Sequence, residues 1–270
     1  MMILSAGCAA SGTDGGSASA EKTYIVATRG TAKPFSYVDD QGNMTGFDVE
    51  VLKEIDRRDP DIRFDFKSMT VAAAFIAVDA GEADLVANQI RYTPARADKY
   101  IYPKEMTNYA ERRLVVRKDR NDIHGMDDLK GKKLSVATNS DLKPLSEAFN
   151  KTANPPIEIL YTDKGASETL NLVATNRADA GGAMVYTARS MIKDNGWPLK
   201  ILDEVISVNP AYFVLKKDEE HQKLADKIDS ALRAMREDGT LKKLSEKYLG
   251  EDYITKKEEP TFADRFGKNL

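Results

Sequence analysis

The chain has 270 residues and a formal net charge of −3, with 41% hydrophobic and 8% aromatic residues. That length suffices for two modest α/β units, while the charge balance offers no field for nucleic acid and the aromatics form no stacking series. No apolar run approaches the roughly 18 residues of a membrane-spanning helix, and the basic run Lys130 to Lys133 is a solvated turn before a strand.

The only cysteine, Cys8, follows Leu4-Ser5-Ala6-Gly7 and precedes the Gly/Ser/Ala-rich Ala9 to Ala20. This resembles a bacterial lipoprotein signal, with Ser5 where Leu is usual. It implies a lipidated Cys8, with residues 1–22 as signal remnant and flexible tether. Lys22 to Thr28 then alternates as a strand and ends in the loop Arg29 to Phe35. Asp39 to Asn43 is a turn-rich hairpin connection. Phe47, Val51 and Ile55 fall at helical spacing, and Asp59-Pro60 stops that helix. Strand Ile62 to Phe66, the small apolar helix Val71 to Val78 and the breaker Gly81 lead to Leu85 to Ile90. The last is short and apolar, suited to a buried strand.

That strand runs into Thr93-Pro94, a helix cap followed by a first-turn proline. Ligands of open α/β sheets sit beyond such strand ends, where helix N–H groups attract anions. Arg96 in the first helical turn and Arg91 just upstream oppose the local dipole. Either they await an anion, or Arg96 pairs with Asp98 or is solvated.

Arg113 to Val116 and Lys133 to Thr138 are further strands, the second entering Asn139-Ser140-Asp141, three good helix caps. Strand Ile157 to Tyr161, helix Ser167 to Ala174 and strand Asp179 to Val185 follow. Helices are expected at Thr187 to Asn195, Glu219 to Glu237 and Leu241 to Leu249. A weak internal echo links Ile25 to Gly30 with Leu134 to Ser140, and Gly81 to Leu85 with Asn176 to Ala180. It points to two similar α/β lobes whose strand-end loops face across a cleft. His124 and His221 have no neighbours at metal-ligand spacing and read as solvated. No nucleophile elbow, phosphate loop or dinucleotide fingerprint is present, so no catalytic residue, metal or cofactor is expected.

Several motifs in this order carry a family resemblance: Lys33-Pro34-Phe35-Ser36-Tyr37, Gly46-Phe47-Asp48-Val49-Glu50, Ala83 to Gln89, Thr93-Pro94-Ala95-Arg96, Asp127 to Lys133 and Asp238-Gly239-Thr240-Leu241. The chain resembles the amino-acid-binding proteins of ABC importers, the polar-amino-acid branch of type II periplasmic binding proteins. Asn88-Gln89 and Thr45 to Ile55 are most similar to the cystine-binding subgroup. The resemblance implies two Rossmann-like α/β lobes joined by a two-strand hinge. Lobe one would be 23–108 plus 213–250 and lobe two 111–205, with the hinge near Met106 to Ala110 and Ser207 to Tyr212. Residues 251–270 are expected as a charged tail.

The resemblance also implies a site. Arg96 would bind the ligand α-carboxylate, with Gln89, Ile90 and Arg91 as nearby donors and Asn139, Ser140 and Asp141 as donors from the second lobe. Three positions depart from the family: Arg29 replaces an acid, Ala32 and Val71 replace stacking aromatics, and Met184 replaces the aspartate that holds the α-ammonium. Asp141 and Asp163 are the remaining acids to consider. Phe35 is either an aromatic wall or a core residue. Arg29 beside Arg91 and Arg96 hints at a second anionic group, as in cystine or a dicarboxylate. The expected protein is a monomeric extracytoplasmic receptor, anchored through Cys8 to the outer face of the cell membrane or periplasmic, delivering an amino acid to a permease. A dehydratase-like enzyme on the same fold is the alternative from another class, and a receptor's sensory module is a third.

Overall fold

The computed structural model describes residues 21–255 and 261–266; Cys8 lies outside them. In chain order the strands are β1 (Lys22–Thr28), β2 (Thr31–Ala32), β3 (Ser36–Val38), β4 (Met44–Thr45), β5 (Ile62–Ser68), β6 (Leu85–Arg91), β7 (Asn108–Arg117), β8 (Lys133–Ala137), β9 (Glu158–Thr162), β10 (Ala180–Met184) and β11 (Leu199–Leu215). The helices are α1 (Phe47–Arg58), α2 (Val71–Ala80), α3 (Pro94–Ala97), α4 (Leu142–Asn150), α5 (Ala166–Ala174), α6 (Val185–Asn195), α7 (Glu219–Glu237) and α8 (Thr240–Leu249).

Eight strands form one sheet in the order β5-β1-β6-β11-β7-β10-β8-β9. The order is palindromic in kind. In one half β1 pairs in parallel with β5 and β6, and in the other β8 pairs in parallel with β9 and β10. The antiparallel strands β7 and β11 run through the middle and join the halves. Separate apolar clusters cover the halves, one around Val26, Leu85 and Phe213 and another around Leu114, Val136 and Ile206. This is the two-lobed α/β architecture expected, with the sheet continuous across the seam.

Local chemistry explains the junctions. Thr70 caps α2 by accepting from the Ala73 N–H at 3.2 Å, and Gly81 ends it at φ 76°. Thr93 caps α3, with Pro94 in its first position. Gly46 enters α1 at φ 117°, where a Cβ would stand 2.4 Å from the Phe35 carbonyl oxygen. In β10 a Cβ on Gly182 would meet Leu142 Cδ2 at 2.1 Å, so the missing side chain lets α4 press onto the sheet.

The internal echo has a structural counterpart. The Asp84 N–H donates to the Ile25 carbonyl at 2.9 Å while its carboxylate accepts from the Ile25 N–H at 2.6 Å. In the other half Asp179 makes the same exchange with Lys133, at 2.8 Å both ways. Each aspartate locks the entry of an inner strand to its parallel neighbour.

Three expectations need correction. Leu199–Leu215 is a single strand of 17 residues, of which only 207–212 was expected, as part of the hinge. Within the stretch expected as a charged tail, described residues are packed: Tyr253 and Ile254 join the first core, and Phe262 joins the second. His221 is only 4% exposed, with Nδ1 2.5 Å from Asp218 and Nε2 2.8 Å from Asp84. It thus ties the α7 N-terminus to the start of β6. Replacing it by Ala removes one partner from each carboxylate and leaves a void, so His221→Ala should lower stability by about 2 kcal/mol in urea unfolding. An unchanged midpoint would refute this role.

Candidate functional site

The ends of β1 and β6 in one half, and of β8 and β10 in the other, feed the loops that meet at the seam. Two chambers lie there, of about 690 Å³ and about 180 Å³, and Arg91, Met184 and Thr187 wall both. A further hollow of about 870 Å³ runs along the outer strand β9 and touches none of the expected residues.

The larger chamber receives Arg29, Phe35 and Gln89 from the first half. Phe35 satisfies both readings: it lines the chamber, is 7% exposed, and meets Tyr186 edge-on at 4.6 Å between ring centres. Gln89 sits at φ 52°, a conformation non-glycine residues seldom adopt. Its amide donates to Asp48 at 2.6 Å and to Asn108 at 2.9 Å, linking the α1 N-terminus, the chamber and the start of β7. Burial pushes the Asp48 carboxyl up to about 7 despite the donation from Gln89.

The smaller chamber is walled by Asn139 and Ser140 at the end of β8, by Gly165 and Ala166 at the start of α5, and by Arg91 and Arg112. Ser140 turns its hydroxyl to the Ala137 carbonyl at 2.7 Å. Two guanidiniums and two helix starts make this a place for an anion.

Asp141 lines neither chamber. It stands at the α4 N-cap without capping the helix. Its carboxylate instead accepts from Arg112 Nε at 2.7 Å, Ser207 Oγ at 2.5 Å and Asn209 Nδ2 at 2.8 Å, and Arg91 approaches from the other half at 3.6 Å. Burial works to raise its pKa, but the Arg112 charge, the Ser207 hydroxyl and Arg91 together bring it down to about 2. With those partners it is no longer open to a ligand ammonium. Asp163, the other acid considered, is exposed, lines neither chamber and accepts from Thr138 at 3.1 Å.

Two more expected residues lie outside the chamber walls. Ile90 is a core side chain, 5% exposed and packed with Val86 and Val214, opposite Tyr212 in the ladder. Arg96 is half-buried behind Arg91, its guanidinium 5.5 Å from the Phe75 ring centre and donating to the Arg91 carbonyl at 3.4 Å. Sequence reasoning missed Arg112, which looks like any strand arginine until the fold sets it against Asp141. It also missed the wall of α6. The spacing Thr187, Ser190, Met191, Asp194 was a signal that one helix face shares a surface.

Because its folded pKa is depressed, Asp141 contributes stability that is complete above pH about 4 and lost as pH falls through about 2. Asp141→Asn should cost about 3 kcal/mol at neutral pH by leaving Arg112 uncompensated. In thermal melts the gap between wild type and variant should narrow as pH falls across that window. A constant gap would contradict the assignment.

A family model described as bacterial extracellular solute-binding proteins, family 3, matches residues 24–251. The L-cystine-binding protein TcyK of Bacillus subtilis is 34% identical over 252 residues, which cover 93% of this chain and 92% of that protein. The crystal structure of the probable amino-acid ABC transporter extracellular-binding protein ytmK from Bacillus subtilis shares 33% identity at a TM-score of 0.80. The match covers 86% of this chain and all of that one (100%). A structure described for glutathione import through GshT and the cystine importer TcyBC of Streptococcus mutans shares 31% identity at a TM-score of 0.72, over 88% of this chain and 99% of that one. On this agreement of sequence and fold, the chain belongs to the bacterial extracellular solute-binding proteins of family 3.

Proposed function

We propose that the protein is an extracytoplasmic receptor that encloses an amino acid between its halves and delivers it to the permease of an ABC importer, with L-cystine or a related sulfur amino acid as ligand. The observation that carries this reading is the convergence of Arg91 with the starts of α4 and α5 on a small chamber at the seam. A carboxylate there would meet a guanidinium and the positive ends of two helices, a charge-assisted arrangement that contributes about 1.5 to 3 kcal/mol per bond. The resemblance gives that carboxylate to Arg96, which stands outside the chamber walls and is held against the Arg91 carbonyl. The relatives described as binding cystine or serving a cystine importer support the ligand class.

In this reading the halves, 23–108 with 213–250 and 111–205, close about 106–110 and 207–212. Such hinge motion buries a small ligand and presents its occupancy to a partner. The receptor acts as a monomer, held to the outer face of the membrane by a lipid on Cys8. A dicarboxylate is the second reading, favoured because Arg29, Lys33 and Arg91 outnumber the acid Asp194 around the larger chamber.

Calorimetry with L-cystine tests the assignment. Arg91→Ala and Arg96→Ala should each weaken binding at least about tenfold, the loss of one charge-assisted contact. Loss in Arg91→Ala alone would give the carboxylate to Arg91. Full affinity in both variants would overturn the site, and no cystine binding by wild type would overturn the ligand. A thermal-shift panel of other polar amino acids, dicarboxylates and glutathione would then identify the alternative.

A further inference from the structure

The larger chamber has walls of opposite charge from opposite halves. On α6, Thr187, Ser190, Met191 and Asp194 follow the three- and four-residue spacing of one helix face, and all four line the chamber. From the facing half come Arg29 and Lys33. Asp194 is the only carboxylate among the described residues lining it.

These charges are not spent on each other. Asp194 accepts only from the Ser190 hydroxyl, at 3.0 Å, among the described residues. Arg29 makes no ion pair among them, and Lys33 lies 5.1 Å over the Tyr37 ring centre. Charges brought to one cleft and left without mutual partners suit a ligand that carries both signs at that end.

The junction of the chambers adds a second constraint. Met184 walls both, so the ligand's middle passes a polarizable thioether and not the carboxylate that the family resemblance would place there. The two α-carbons of a disulfide-linked pair of cysteines stand roughly 5.5–6 Å apart. Adjacent chambers sharing Arg91, Met184 and Thr187 are compatible with so short a separation.

We propose that the larger chamber is a second head-group subsite, receiving the far α-amino-acid zwitterion of a two-headed ligand such as L-cystine. Arg29, with Lys33 beside it, takes the far carboxylate; Asp194 takes the far ammonium, with Ser190 orienting Asp194. This rests on the reading above, in which the near carboxylate sits at Arg91. It also selects among that reading's ligands. A dicarboxylate would bring a bare negative charge against Asp194, and a one-headed amino acid would leave Arg29 and Asp194 without partners in a closing cleft.

Calorimetry on the full chain would use four probes: L-cystine, S-methyl-L-cysteine, and the mixed disulfides of L-cysteine with 3-mercaptopropionate and with cysteamine. The last two lack, respectively, the far ammonium and the far carboxylate. Wild type should bind cystine at least about tenfold more tightly than each of the other three. Asp194→Asn should remove the advantage of cystine over the mercaptopropionate disulfide, and Arg29→Gln its advantage over the cysteamine disulfide. Neither variant should weaken binding of S-methylcysteine or lower the melting temperature, because both side chains are exposed and that probe has no far head group to lose.

Equal affinity of wild type for cystine and S-methylcysteine would overturn the second subsite while leaving the amino-acid reading intact. Variants that weaken all four probes alike would also overturn it. Failure of all four probes to bind wild type would remove the underlying reading and this inference with it.

Discussion

A carboxylate cannot be buried without compensation, and the arrangement around Asp141 shows what that demand organises. Arg112 comes from β7, Ser207 and Asn209 come from β11, and Arg91 comes from the end of β6 across the seam. One side chain therefore gathers both central strands and the opposite half. It also takes up part of the Arg91 and Arg112 charge at the edge of the smaller chamber. A strongly cationic pocket would otherwise repel its own walls; with Asp141 in place, it keeps two guanidiniums at close quarters.

The site is thus assembled from groups whose first duty is structural. Arg91 touches Asp141 and lines both chambers, while its carbonyl holds Tyr102 at 3.0 Å and Arg96 at 3.4 Å. Gln89 reaches from a strained backbone to Asp48 and Asn108, and Asn108 in turn accepts from Thr107 at 2.9 Å. The cleft floor and the root of β7 share one hydrogen-bond network. A displacement at one is felt at the other because the bonds share the Gln89 and Asn108 side chains.

Most of the fold was legible because glycine, proline and capping residues punctuate it and the inner strands are apolar. The same cues hid β11. Its pairing slips between Ile201 and Val205, between Val205 and Ser207, and again between Tyr212 and Val214, so the apolar phase changes sides along its length. Asp203-Glu204 and Asn209-Pro210 break the apolar alternation further. His221 was misread because burial of a histidine in a charged helix depends on Asp84, 137 residues away in sequence. At the site, strand ends and helix starts were visible locally, and so were Arg91, Asn139 and Ser140. The spent state of Asp141 was not, since its partners lie 29 to 68 residues away. Nor was Asp194, whose opposing cations belong to the other half.

The palindromic strand order also has a consequence for how the chain is made. The strands β8, β9 and β10 are encoded in one unbroken stretch, flanked by β7 and the first part of β11, with Phe262 added from beyond it. The half built on β1, β5 and β6 borrows the end of β11 together with α7 and α8. During vectorial synthesis the later-encoded half has all its strands as soon as Leu199 and its followers emerge. The earlier one must wait, with Val26 and Leu85 lacking the cover of Phe213, Leu224 and Leu241, until those residues emerge. A nascent chain stalled before Phe213 would therefore expose that unfinished core.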